Sequence, residues 1–351
     1  MDIKRRKTKI IKIGGLKIGG GFPVIIQSMT NTKTSDVKKT VLQIKELEAA
    51  GCEIIRVGVP DLESAKAIGK IKKQINIPLV ADIHFSSKFA LEAINQGADK
   101  IRINPGNFPK EDLKKLADLA NKKGIPIRVG INSGSIEKEI LKNREKVTPE
   151  MMVASALKNI KLMESLGFYN MVISLKAPDI IRTIAAYEML SKKVDYPLHL
   201  GITEAGTEFS GTIKSSIGLG YLLLRGIGDT IRISLSATPV KEIKVAQEML
   251  KSLGLRKIGL EIVSCPTCAR AEIDVINIAK SLESLDFGIK KPLKIAVMGC
   301  VVNGLGEARE ADLAAVGIKK FALLMRGSKK LRKIKKENVL EELKKEIKKF
   351  T

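Results

Sequence analysis

A chain of 351 residues with 44% hydrophobic content is long and apolar enough for one large domain and a smaller one. No apolar run approaches the ~18 residues of a membrane span, the basic N-terminus lacks the apolar stretch of a signal peptide, and four cysteines are not a secreted disulfide framework. A cytoplasmic protein with no membrane partner is therefore expected. The formal net charge of +24 is spread along the chain and aromatics are only 4%, so no nucleic-acid partner is expected, while anionic small molecules or an acidic protein would be attracted.

After the basic start, the glycine-rich stretch 14–21 reads as an opening hairpin. Short Val- and Ile-rich runs then recur at 23–29, 54–59, 79–83, 100–104, 125–131, 171–175, 198–202 and 230–235. Between them lie segments with apolar residues three and four apart, at 35–50, 61–74, 88–96, 111–123, 149–166, 179–192, 212–226 and 239–253. The helix signals agree: Ser35, Asp61 and Thr148-Pro149 open helices, and Gly51, Gly97, Gly124, Gly167 and Gly254 close them. Eight strand-then-helix units predict a parallel sheet, and eight closes a (β/α)8 TIM barrel over residues 1–254. An open doubly wound sheet would alternate in the same way, but no G-x-G-x-x-G turn follows a strand.

The polar residues cluster at the strand ends, where a barrel builds its active site. Arg56, Arg102, Arg128, Lys176 and Arg232 each interrupt a run that a buried parallel strand would keep apolar, and such interruptions are costly without a partner. Converging on one mouth, they predict a cationic pocket for a phosphate or diphosphate, which guanidinium forks bind bidentately. Asp82 and Glu204 either neutralise these cations or do chemistry; Glu204, on a glycine-bearing loop, is placed to deliver a proton to a leaving oxygen. His84 and His199 read equally as core or rim residues, and Cys52 as a small buried hydrophobe.

Past Gly254 the alternation stops. Residues 258–263, 293–298 and 321–325 read as strands, and 271–283, 308–315 and 337–350 as helices, giving a small α+β domain over 255–351 with a Lys-rich C-terminus. Three of the four cysteines lie here, in Ser264-Cys265-Pro266-Thr267-Cys268 and in Met298-Gly299-Cys300-Val301-Val302-Asn303-Gly304-Leu305-Gly306-Glu307. Three soft thiolates with an open fourth position suit an iron–sulfur cluster; a zinc site or a metal-free dithiol stays open on spacing alone. By itself Glu307 reads as a solvated acid near a helix start.

These two cysteine motifs, with Arg102-Ile103-Asn104-Pro105-Gly106-Asn107, Gly130-Ile131-Asn132-Ser133-Gly134-Ser135 and His199-Leu200-Gly201-Ile202-Thr203-Glu204-Ala205-Gly206, closely resemble the 4-hydroxy-3-methylbut-2-enyl diphosphate synthases, the GcpE or IspG family, in its compact bacterial two-domain form. The resemblance implies reductive ring opening and dehydration of 2-C-methyl-D-erythritol 2,4-cyclodiphosphate in the non-mevalonate isoprenoid pathway. It implies a [4Fe-4S] cluster on Cys265, Cys268, Cys300 and Glu307, which reverses the reading of Glu307 from its surroundings. It also implies diphosphate contacts from Arg56, Arg102, Arg128, Lys176 and Ser234, catalytic or substrate-contacting roles for Asp82, Asn132 and Glu204, a ferredoxin or flavodoxin donor, and a homodimer. Ala269 stands where Gly is usual and Leu305 where Pro is usual, the latter predicting a looser turn before Glu307. The rival class is a phosphate-binding barrel of the dihydropteroate synthase type with a structural metal site.

Overall fold

The computed structural model describes residues 3–84, 86–141, 144–257, 259–285, 289 and 291–350, and divides into two compact units that meet in sequence at Leu255 and Arg256. In the first unit, β1 (Ile11–Ile13) and β2 (Leu16–Ile18) form an antiparallel hairpin. Then follow β3 (Ile25–Met29), α1 (Val37–Ala49), β4 (Ile54–Gly58), α2 (Leu62–Lys72), β5 (Leu79–Asp82), α3 (Ser87–Asn95), β6 (Lys100–Ile103) and α4 (Lys110–Lys123). The chain continues through β7 (Ile127–Asn132), α5 (Lys138–Leu141), α6 (Pro149–Ser165), β8 (Met171–Lys176), α7 (Ile180–Ser191), β9 (His199–Leu200), α8 (Glu208–Leu224), β10 (Thr230–Ile231) and α9 (Pro239–Ser252). Side-chain caps from Asp36, Asp61, Thr148 and Asp179 hold free N–H groups at four helix starts.

The eight strands β3 to β10 pair in parallel, and the isolated bridge Ile173↔Leu198 joins β8 to β9 and completes the ring. This is the TIM barrel that the alternation predicts. Its last two strands are shorter than the sequence reading. At that weak seam Tyr187 of α7 accepts from Leu175 N–H (3.0 Å) and donates to the His199 carbonyl (2.5 Å), holding β8 against β9.

Alternation along the strands sorts the residues between two environments. Ile55, Val57, Leu79, Ala81, Ile101, Ile103, Val129, Ile131, Ile173 and Leu175 join the helices in one large core. The opposite parity faces the lumen. At the bottom of the lumen Ile25, Ile54, Val80 and Val172 pack against Ile11, Ile13 and Ile18, so the hairpin plugs that end.

The second unit holds β11 (Leu260–Ser264), α10 (Val275–Ser284), β12 (Leu293–Met298), α11 (Val301–Arg309), β13 (Leu313–Ile318), β14 (Phe321–Arg326), β15 (Lys329–Ile334) and α12 (Val339–Ile347). Its sheet runs β11-β12-β13-β14-β15, the first three parallel and the last two antiparallel to their neighbours. Helices α10 and α12 cover one face and α11 the other.

Two sequence readings fail here. Residues 308–315 are not a helix: α11 ends at Arg309, and Leu313 opens a central strand. The alanines that favour helix locally alternate instead, Leu313 and Ala315 to one face and Ala314 and Val316 to the other, and burial on both faces overrides propensity. The strand β15 goes unread because its sequence, Lys-Lys-Leu-Arg-Lys-Ile, buries only Ile334; it is an edge strand protected by charge. The strand read from 258 begins at Leu260, and Ile258 itself lies outside the described residues.

Candidate active site

Above the hairpin plug the lumen turns polar. The registers Met29↔Arg56↔Val80↔Lys100 and Gly58↔Asp82↔Arg102↔Arg128↔Val172 put these residues on one inward face, and Asn132↔Lys176 does the same at the rim. Arg128 is 1% exposed and Lys100 fully buried. Asp82 takes Arg102 Nη1 at 3.1 Å and Arg56 Nε at 3.7 Å, with His84 Nε2 3.7 Å away. Burial alone would raise the Asp82 carboxyl; Arg56, His84, Arg102 and Arg128 outweigh it and hold the group well below the usual carboxylate range.

The cations outnumber their partners. Among the described residues, Arg56, Lys100, Arg102, Arg128, Lys176 and Arg232 share Asp82 and Glu242, and Glu242 of α9 lies 3.8 Å from Arg232. Arg128 Nε and Nη1, Arg102 Nε and Arg232 Nε are buried with no protein partner. Lys100 reaches only Gln27 Oε1, at 3.3 Å. Lys176 Nζ donates to His199 Nε2 at 3.3 Å, which leaves Nδ1–H to donate to Thr230 Oγ1 at 2.8 Å. Burial lowers the pKa of Lys100, Lys176 and His199 well below their usual values, and the repulsion of Arg128 and Arg56 adds to it. Buried cations with so few protein partners are electrostatically unfavourable; an anion would satisfy the orphaned N–H groups.

Glycine makes the room. A Cβ at Gly130 would sit 2.5 Å from Arg102 Nε, and one at Gly201 would run into Lys176 Nζ. Side chains at either position would displace the cations from the lumen.

Asn132 and Ser234 are half-buried at the ends of β7 and beyond β10. Glu204 is exposed on the loop after β9, and among the described residues it is the non-glycine with positive φ, 52°. Such backbone is costly for a side-chain-bearing residue and is concentrated at functional sites. Sequence reasoning passed over Lys100 and Glu242. Lys100 was findable, since it stands two residues before Arg102 in one strand and must share its face; Glu242 lies inside an ordinary amphipathic helix and gave no signal.

In the second unit, Cys265 follows β11 and Gly299-Cys300 follows β12, its parallel neighbour. Gly299 N–H donates to Cys265 Sγ at 3.1 Å. Cys268 is exposed and all three thiols are free. Glu307 does not lie beyond a turn. Cys300 is the N-cap of α11, and Glu307 sits within that helix, seven residues on. Two helical turns bring it back to the Cys300 side, and its side chain leans toward the N-terminus. Leu305 lies in the same helix and, partly buried, packs against the apolar cluster that includes Met298, Ala308 and Val316, so helix stands where a loose turn is expected.

Among the described residues, no three His, Cys, Asp or Glu side chains converge as the ligands of a single metal ion would. A multi-iron cluster offers separate corners, so its ligands need not meet at one point; three thiolates at the ends of adjacent strands, one already receiving a backbone N–H, suit it.

The family model described as the GcpE TIM-barrel domain matches residues 8–247, and that of the GcpE protein C-terminal domain matches residues 261–349. The chain belongs to the GcpE family. Relatives named 4-hydroxy-3-methylbut-2-en-1-yl diphosphate synthase (flavodoxin) include those of Caldanaerobacter subterraneus subsp. tengcongensis, 58% identical with 99% of each chain covered, and Geobacillus thermodenitrificans, 56% identical over 99% of this chain and 93% of the relative. Among solved structures, the dihydropteroate synthase of Stenotrophomonas maltophilia aligns with TM-score 0.53 over 69% of this chain and 98% of its own, at 14% identity. That of Yersinia pestis aligns with TM-score 0.52 over 71% and 100%, at 12%. These likenesses establish the barrel fold and nothing of the chemistry.

Proposed function

We propose that this GcpE-family chain reductively opens 2-C-methyl-D-erythritol 2,4-cyclodiphosphate and expels water, giving 4-hydroxy-3-methylbut-2-enyl diphosphate. Two electrons and two protons enter and one water leaves. The observation that carries the reading is the fully enclosed Arg128, with two guanidinium nitrogens unsatisfied among an excess of cations, which gives the lumen the electrostatics of an anion site.

In this reading Arg56, Arg102, Arg128, Lys176 and Ser234 hold the diphosphate, and Asp82 fixes the forks of Arg56 and Arg102. Asn132, beside Lys176 in the ladder, orients the carbon skeleton. As the C–O bond breaks, the charge gathering on the diphosphate is met by preorganised cations. Glu204 protonates the departing hydroxyl. Cys265, Cys268, Cys300 and Glu307 hold a [4Fe-4S] cluster, which when bound supplies single electrons and a Lewis-acidic iron. The donor is flavodoxin, the carrier that the relatives' names carry.

The protein acts in the cytoplasm as a homodimer. No helix of the described residues is long and apolar enough to cross a membrane. The dimer reading rests on α8, which exposes Phe209 (79%), Ile213, Ile217, Tyr221 and Leu224 along one face.

Anaerobic purification with iron and sulfide analysis, followed by turnover of the cyclic diphosphate, tests the whole reading. Colourless zinc-bearing protein with no turnover overturns it. Glu204→Gln is expected to keep the cluster spectrum and lose turnover about 10²- to 10⁴-fold. Glu307→Ala is expected to change the spectrum, and an unchanged spectrum removes Glu307 from the coordination sphere.

A further inference from the structure

The strands of the second unit's sheet gather one kind of residue at one edge. β11, β12 and β13 run parallel, and β15, antiparallel to β14, runs with them. Their C-terminal ends therefore lie along a single edge. Leaving it in order are Cys265, Gly299-Cys300, Lys319-Lys320 and Lys335-Lys336. Lys336 pairs with Glu272 at 2.7 Å, and Glu272 N–H donates to the Gly299 carbonyl at 2.8 Å, which ties the lysine end of the edge to the residue before Cys300. Lys333 Nζ stands 4.6 Å over the Phe321 ring at the same edge. Val301 and Val302, the residues after Cys300, are 44% and 65% exposed.

Most of the lysines here differ from those of the closing helix region. Lys344, Lys345 and Lys349 of the closing helix region each pair with a glutamate, as does Arg332. Lys319, Lys320 and Lys335 are exposed and have no ion-pair partner among the described residues. Protection of an edge strand accounts for charge along β15. It does not account for Lys319 and Lys320 in the β13–β14 turn, or for Lys335 past the strand end.

We infer that this lysine-lined, cysteine-bearing edge, centred on Lys319, Lys320 and Lys335, is the docking surface for an acidic flavin carrier of the flavodoxin class. Unpaired cations steer an acidic partner into contact and set its orientation, and a small, mainly electrostatic contact suits a transient redox encounter. Electron transfer weakens steeply with distance, so the productive docking site must adjoin the cysteines, and this edge does. At each encounter one flavin hydroquinone would be oxidised to the semiquinone, giving one electron to the cluster that Cys265, Cys268, Cys300 and Glu307 would hold. Two encounters deliver the pair of electrons that ring opening consumes. The inference rests on the function proposed above and adds where its donor binds.

The test uses the anaerobically purified holoenzyme. A Lys319→Glu, Lys320→Glu, Lys335→Glu triple variant is compared with a Lys329→Glu, Lys330→Glu control, whose charges begin β15 at the opposite edge. Flavodoxin affinity is measured by calorimetry across a salt series, and turnover is driven by flavodoxin or by dithionite. The triple variant should lose roughly ten- to a hundredfold in affinity at low salt, with a flatter salt dependence. Its flavodoxin-driven turnover should fall in parallel, while its visible spectrum and dithionite-driven turnover match wild type. Equal loss in the control, or unchanged affinity in the triple variant, overturns the inference. Absence of dithionite-driven turnover in the wild type would overturn the proposed function instead, and the affinity comparison would still decide the surface.

Discussion

Arg128 shows what a buried, poorly paired cation costs the fold that carries it. Its guanidinium is buried, its hold on its proton is weakened by burial and by Arg56 and Arg102, and two of its nitrogens bond nothing in the protein. Replacing a poorly paired buried charge with an apolar side chain is often neutral or stabilising. Arg128→Met is therefore expected to leave the ligand-free protein as stable or up to about 1–3 kcal/mol more stable, by thermal or urea unfolding, while kcat/KM falls at least about a hundredfold. Asp82→Asn should do the reverse to stability, since it strips Arg56 and Arg102 of their shared acid; a loss of about 3–5 kcal/mol is expected. If Arg128→Met unfolds the protein instead, the residue is structural and the anion reading fails. The inward placement of Arg56, Arg102, Arg128 and Lys176 was legible because charge inside a Val- and Ile-rich run is costly without a partner. The strained backbone of Glu204 was not legible, because φ follows from the loop's surroundings and glutamate carries no mark of it.

At the scale of elements, the barrel was readable because its strands and helices repeat eight times, and each repeat checks the others. The second unit offers no repeat. Its central strand is alanine-rich and its edge strand lysine-rich, so local preference pointed the wrong way for both. Two barrel elements make their own predictions. The opening hairpin closes the lumen floor with Ile11, Ile13 and Ile18 in an all-apolar cluster, so Ile13→Ala should cost about 2–5 kcal/mol of stability with little change in KM. A fall in substrate affinity larger than the fall in folded fraction would mean that the floor shapes the pocket. On α8, the exposed residues Phe209, Ile213, Ile217 and Tyr221 recur every fourth position, a stripe that an isolated barrel leaves in water. A Phe209→Asp, Ile217→Asp double variant should elute as a folded monomer by light scattering where the wild type elutes as a dimer; a variant that remains dimeric places the contact elsewhere.

For the molecule as a whole, the lumen makes stability and ligand binding respond to pH in opposite senses. Lys100, Lys176 and His199 have folded-state pKa values below their unfolded ones, through burial first and then through the neighbouring arginines. Lys176 is faced by His199, Arg128, Arg56, Arg232 and Arg102, all basic. Between the folded and unfolded pKa values the unfolded chain binds more protons, so the ligand-free protein gains stability as pH rises through that window. Asp82, depressed in the fold, acts in the same direction at the acid end: its contribution is present above the unfolded carboxylate range and is lost as pH falls through the folded pKa. An anion in the lumen favours the protonated lysines and therefore binds with proton uptake, so its affinity must fall as pH rises. Sulfate is a clean probe, because its own charge is constant from pH 6 to 9. In melts at matched ionic strength, the gain in Tm from sulfate over chloride should be larger at pH 6 than at pH 9. The general effect of sulfate on burial does not depend on these groups, so it should persist unchanged in a Lys100→Met, Lys176→Met variant while the pH-dependent part disappears. A sulfate gain that is flat with pH in the wild type would mean that both lysines stay charged in the empty barrel, and that the lumen is neutralised by something other than an entering anion.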